Sequence, residues 1–226
     1  MTKLVATPHD RTHRAPARRR FLRGAGAAGV VLAATTSAHA ALLATPAIAL
    51  GPFYAPRKPA DSDADLTRVQ GQDGVAQGTI LYVAGRVVDR DGRPLPGAAL
   101  ELWQANAFGR YIHPEDTDAS GPLDPRFQGY GALTADAEGR FRIKTIKPAP
   151  YSGRTPHIHF NVASGSTRLT TQMFFAGEAG NERDGLYRWL SRDEQRASTA
   201  RYVERSGAME SGALAVAWDI VLRTGA

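Results

Sequence analysis

Ten residues, Tyr151-Ser-Gly-Arg-Thr-Pro-His-Ile-His-Phe160, bring a phenol, a guanidinium and two imidazoles into one short stretch. His157 and His159 stand at i and i+2. On a β-strand rising ~3.3 Å per residue, both side chains leave the same face, ~6.6 Å apart. That separation suits two neighbouring ligands of one metal ion. It equally suits two exposed strand histidines, and the pair alone does not choose. Ile158 and Phe160 fall on the opposite face, where they would enter a core, so the stretch is expected to be a strand.

The remaining inventory narrows the metal chemistry. Of six histidines, His9, His13 and His39 lie near the N-terminus, leaving His113, His157 and His159 in the body of the chain, and no cysteine exists to build a thiolate site. Further ligands must therefore be oxygen donors or His113, which stands two residues after Tyr111. The nearest carboxylates, Glu115, Asp116 and Asp118, sit in a turn-rich segment and are expected to be solvated loop charges. Tyrosine is the other candidate. A phenol with a pKa near 10 ionises at neutral pH only when a strong cation replaces its proton. The resulting hard phenolate favours ferric iron over zinc or ferrous iron.

Five segments occur in a telling order: Glu101-Leu-Trp-Gln-Ala-Asn-Ala-Phe-Gly-Arg-Tyr111, Leu123-Asp-Pro-Arg-Phe127, Thr145-Ile-Lys-Pro-Ala-Pro-Tyr151, Pro156-His-Ile-His-Phe160 and Thr171-Gln-Met-Phe-Phe-Ala-Gly177. Together they resemble the motifs of the intradiol ring-cleavage dioxygenases, and most nearly the protocatechuate 3,4-dioxygenase branch. The resemblance runs from about Gly51 to Leu222. It implies that Tyr111, Tyr151, His157 and His159 hold a non-haem Fe(III) ion. It further implies that a catechol-type substrate binds through both oxygens, with Tyr151 displaced, and that O2 opens the ring between the hydroxylated carbons to a muconate-type diacid. Arg154 would stabilise charge developing on the substrate, and Gln172 would hydrogen-bond at the reacting centre. Trp103 would wall the site near Tyr111. Gly51-Pro-Phe-Tyr54 would belong to an arm across the site mouth, or merely anchor that arm. The segment between Tyr151 and His157 is short and lacks the tryptophan usual in the protocatechuate branch, so the ring substituents are left open.

The elements that must position these residues are mostly strands. Ile80–Asp89 and Ala98–Ala105 flank the turn cluster Asp89-Arg-Asp-Gly-Arg-Pro94 and read as a hairpin, with Gly109 permitting a bend before Tyr111. Further strands are expected over Phe141–Ile146, Ile158–Val162, Leu169–Phe175 and Ala213–Leu222. Ser191-Arg-Asp-Glu194 is a capping box, predicting a helix from Ser191 to about Arg205. Residues 41–78, rich in Pro, Gly, Ala and Asp, read as an extended arm. The fold expected for residues 79–226 is all-β, an antiparallel β-sandwich with that N-terminal arm and one late helix.

Residues 1–40 read as a twin-arginine export signal. Arg18-Arg-Arg-Phe-Leu-Arg23 precedes a weakly apolar run and the small-residue site Ala38-His-Ala40, and the run is too short to span a bilayer. Seven of the 28 basic residues and one of the 22 acidic residues lie there, so the rest of the chain is balanced. That balance gives no reason to expect nucleic acid or an anionic membrane as partner. The partners expected are a catechol-type small molecule and O2, with a homo-oligomer compatible. The competing function is a secreted, non-catalytic β-sandwich module binding a metal or glycan. Paired tyrosines are what separate the two, because a binding module does not need them.

Overall fold

The structure, a computed structural model, describes residues 41–118 and 121–224. The export signal expected at residues 1–40 lies outside the described residues. Nine strands follow one another as β1 (Ile80–Asp89), β2 (Ala99–Trp103), β3 (Tyr130–Thr134), β4 (Arg140–Ile146), β5 (His157–Ser164), β6 (Thr167–Phe175), β7 (Thr199–Tyr202), β8 (Leu214–Ala217) and β9 (Ile220–Leu222). Between β6 and β7 come a 3-10 turn (Asn181–Arg183) and the helices α1 (Gly185–Trp189) and α2 (Arg192–Ser198).

The strands hydrogen-bond in the order β3-β2-β5-β6-β7-β8-β1-β4, with β9 also on β1. The expected purely antiparallel arrangement is corrected to a mixed sheet. β1 runs parallel to β8 and β9, and β6 runs parallel to β7, while the other pairings are antiparallel. The expected hairpin of β1 with β2 is also absent. The turn after Asp89 forms, closed by the Asp89 N–H on the Arg93 carbonyl and by the Asp89 carboxylate on the Arg93 N–H. Beyond it the chain crosses to the other half of the strand order, where β2 lies between β3 and β5.

Those halves close on one core. Phe141 of β4 and Phe160 of β5 bring ring centroids to 6.5 Å, and Phe160 meets Trp218 at 5.2 Å. Leu100, Leu102, Ile158, Phe160, Val83 and Ile143 are all buried in the same cluster. Alternation along β2 and β5 therefore sends one set of side chains to this core and the other, Trp103, His157 and His159, to the opposite face.

The strand expected over Ala213–Leu222 is split at Trp218-Asp219. Gly85 of β1 admits the Trp218 carbonyl so closely that a Cβ there would lie 1.8 Å from the oxygen, and the exposed Asp219 accepts the Arg86 N–H at 2.8 Å. The late helix starts with its capping box intact on Ser191 and Glu194, but it ends at Ser198 instead of near Arg205. Thr199-Ala-Arg-Tyr202 is taken as β7 between β6 and β8, tertiary pairing overriding helical continuation. Residues 41–79 hold no helix or strand. They lie along the sheet through bonds such as Thr45 N–H to the Val221 carbonyl, Ile48 N–H to Thr170 and Leu66 N–H to Lys144.

Candidate metal centre

β5 opens on His157, and both histidines are buried, which removes the exposed-strand alternative. His157 and His159 share a face with ring centroids 4.9 Å apart. Nδ1 of His157 lies 2.6 Å from the Thr155 carbonyl, which can only accept, so Nδ1 carries the proton and Nε2 keeps its lone pair. That Nε2 is 3.2 Å from Tyr151 Oη, which in turn is 3.2 Å from Tyr111 Oη. His159 is held flat by Trp103, stacked at 4.9 Å and 12°, and its Nδ1 is buried without a partner.

The two tyrosines arrive from different elements. Tyr111 follows β2, its backbone N–H held by the Asp116 carboxylate at 2.6 Å, which also accepts Arg110 Nε at 3.1 Å. Asp116 is therefore no solvated loop charge, since its side chain is 4% exposed. Glu115 is exposed, as expected. Gly109, at φ 80°, lets the Tyr151 segment approach, a Cβ there falling 2.9 Å from the Pro150 carbonyl oxygen and 3.1 Å from Tyr151 Cβ. His113 does not join the group. Its Nδ1 accepts the Glu115 N–H at 3.1 Å, and its ring meets the edge of Phe53.

Electrostatics prepares this donor set for a cation. Burial, reinforced by the neighbouring Tyr151, raises the Tyr111 phenol well above its ordinary range; burial also raises Tyr151, against the lowering pull of Tyr111 and Arg154. Burial together with Arg154 pushes His157 down to about 4, and burial with His157 and Arg154 holds His159 well below the usual imidazole range. The imidazoles are thus neutral, with lone pairs available to a cation, and the phenols ionise only if a strong positive charge takes their protons. Two imidazoles and two mutually adjacent phenols fit a ferric ion. Among the described residues no three His, Asp or Glu side chains gather to hold a metal, which disfavours a zinc or ferrous carboxylate site.

Arg154 and Gln172 meet beside this group. Arg154 Nη2 donates to Gln172 Oε1 at 2.7 Å, and Gln172 is the direct cross-strand partner of His159. Gln172 Nε2 donates to the Ala49 carbonyl at 2.8 Å. Sequence reading missed Asp184, the fully buried N-cap of α1, which accepts Arg154 Nε at 2.8 Å. An aspartate just before a short helix is a cap signal, but its ion pair is not visible locally. A cavity of about 690 Å³ is lined by Tyr151, Arg154, Pro150, Ala107 and Lys147. On the other side, Phe53 stacks on Tyr111 at 4.6 Å, and Tyr54 donates to Glu101 at 2.7 Å.

A family model described as Dioxygenase matches residues 49–224. The chain is 36% identical over 181 residues to the protocatechuate 3,4-dioxygenase beta chain of Burkholderia cepacia, covering 76% of each. It is 32% identical over 163 residues to a catechol 1,2-dioxygenase of Acinetobacter baylyi, covering 64% of this chain and 50% of that one, so it spans about half the length of that relative. Among solved structures, the dioxygenase domain of a dioxygenase carbohydrate-binding protein fusion from Streptomyces sp. SirexAA-E superposes with a TM-score of 0.61 at 29% identity, covering 80% of this chain and 99% of that domain.

Proposed function

Because this chain belongs to the intradiol ring-cleavage dioxygenases, we propose that it opens catechol-type rings between their two hydroxylated carbons, using O2 and an Fe(III) ion held by Tyr111, Tyr151, His157 and His159. The observation that carries this reading is the adjacency of the two buried phenols, 3.2 Å apart, with one of them 3.2 Å from a histidine nitrogen whose proton is on the other side of the ring. When bound, a ferric ion supplies Lewis acidity, ionising the phenols and drawing electron density from a chelated catechol so that O2 can attack the ring.

The protein's own contributions follow from where each group stands. Tyr111 is deeply buried and pinned through its backbone by Asp116, so it is the phenolate that stays. Tyr151 is half-buried and lines the cavity, so its Oη is the base that an entering catechol meets and to which it delivers a proton. Arg154 places a positive charge at that cavity for carbanion-like charge on the ring. Gln172 holds Arg154 from β6, the strand paired with the one that carries the two histidines. The product expected is a muconate-type diacid.

The test is product analysis of the iron-loaded protein with catechol, protocatechuate and hydroxyquinol under isotopically labelled O2. Both labelled atoms in a ring-opened diacid are expected. A yellow semialdehyde, or no ring opening with any of the three, overturns the reading. We also propose that Arg18-Arg19 directs export through a twin-arginine route; replacing both with lysine should retain the protein inside the cell, and undiminished export would remove that proposal.

A further inference from the structure

We infer that Asp184 is a positioning residue for ring cleavage: its carboxylate fixes the plane of the Arg154 guanidinium so that the remaining N–H groups of the arginine face the cavity beside Tyr151. This rests on the ring-cleavage reading above.

Both oxygens of Asp184 are committed. Oδ2 accepts Arg154 Nε at 2.8 Å and the Thr155 N–H at 2.9 Å, and Oδ1 accepts the N–H groups of Leu186 at 2.9 Å and Tyr187 at 3.2 Å at the start of α1. The loop that carries it is tied to the same strand entry. Thr155 Oγ1 donates to Asn181 Oδ1 at 3.0 Å, and Asn181 Nδ2 donates to the Phe175 carbonyl at 2.9 Å. The aspartate is thus a fixed point set by backbone.

A guanidinium is planar with five donors, and it loses its freedom to turn once two of its edges are held. Asp184 holds Nε, and Gln172 holds Nη2. Among the described residues the other three N–H groups have no protein acceptor, and Arg154 lines the cavity that Tyr151 also lines. Stability alone does not account for the arrangement. Asp184 is fully buried and Arg154 largely so, and a buried ion pair is often replaceable by apolar residues without loss of stability, because desolvating the charges costs about as much as their attraction returns. A fixed orientation is what an apolar pair would not supply.

The test has two arms, using Asp184→Asn, and Asp184→Ser because serine retains an oxygen to cap α1 while losing the partner of Arg154. In metal-free protein with nitrogen-15-labelled arginine, the Arg154 Nε–H signal, identified by its loss in Arg154→Lys, should exchange slowly with water in the wild type and rapidly in both variants. Rapid exchange in the wild type overturns the inference without reference to iron or turnover. In iron-loaded protein, Asp184→Ser should lower kcat about 10- to 100-fold. Catechol affinity measured without O2 should stay within about threefold, and the loss should nearly vanish in an Arg154→Ala background. An undiminished loss in that background, or a weakening of catechol binding that matches the loss of kcat, overturns it. A wild type that opens no catechol would overturn the ring-cleavage reading by itself, while the exchange measurement still decides whether Asp184 holds Arg154.

Discussion

Tyr151 and Arg154 stand opposite each other across a two-residue turn, joined by the Tyr151 N–H to the Arg154 carbonyl at 3.3 Å and the Arg154 N–H to the Tyr151 carbonyl at 2.7 Å. The phenol proposed to take the catechol proton and the guanidinium beside it are therefore the two legs of one miniature hairpin. Its tip residues, Ser152 at φ 45° and Gly153 at φ 76°, both adopt left-handed backbone, the pattern of a type I′ turn.

Gly153→Ala should destabilise the protein by ~1 kcal/mol, read from urea midpoints of the metal-free form, because alanine must adopt a conformation that glycine takes freely. A Cβ there would meet nothing within 4 Å, so the cost is backbone alone. Ser152→Asn should move the midpoint the other way by a few tenths of a kcal/mol, since asparagine tolerates the left-handed region better. An unchanged midpoint in both variants would mean that the turn does not hold the two legs.

The iron-loaded protein should be red to brown, because phenolate-to-ferric charge transfer absorbs visible light. Tyr111→Phe or Tyr151→Phe should shift or bleach the band, as visible spectra would record. A colourless protein carrying a full complement of zinc would contradict the ferric assignment.

The histidine pair was legible because a strand's period of two is local: His157 and His159 needed only Ile158 and Phe160 between them to be placed on one face. The tyrosines were legible through ordered motifs. Asp184 and Asp116 were not: the donor to Asp184 is the backbone of Thr155, 29 residues away, while Asp116 is held by Arg110 and Tyr111 through a loop fold that residue types alone do not announce. The β1–β2 hairpin failed for a related reason. The turn chemistry at Asp89 to Pro94 was read correctly, but the neighbours of β1 are β4, whose paired residues lie 54 to 66 positions on, and β8 and β9, whose paired residues lie 133 positions on, and no local signal announces partners so far away.

The metal-free protein should lose stability as pH falls from about 6.5 toward about 4. His157 is held down to about 4, largely by burial, while in the unfolded chain it titrates near 6.5. Over that interval the unfolded state binds the proton and the folded state refuses it, so stability is full above the unfolded value and declines to the folded one. The contribution from His157 is ~3 kcal/mol, and His159, also depressed, adds in the same direction. Urea denaturation across pH 7.5 to 4 checks this, with His157→Gln expected to flatten the curve. A profile as steep in that variant as in the wild type would contradict it.

Gly51→Ala should loosen residues 41–59 from the site. Gly51 sits at φ 76°, and a Cβ would lie 3.1 Å from His159 Cε1, so substitution both strains the backbone and presses on the ring. The expected readout is faster proteolytic cleavage within residues 41–59 and a loss of ~1–2 kcal/mol in stability. Cleavage at the wild-type rate would show that the approach to His159 is not what seats the segment.

Among the described residues β8 alone joins β7 to β1 in the sheet order, and it is made late in the chain, by Leu214–Ala217. Every residue proposed to bind iron has been synthesised well before it. During synthesis, β6-β7 on one side and β1 on the other therefore remain open edges until β8 arrives, and their joining must wait on contacts of very long sequence separation. The two parts of the sheet are joined only after the strands that carry the site have been made, so removal of residues 214–224 should yield not a weakened enzyme but an aggregating half-sheet.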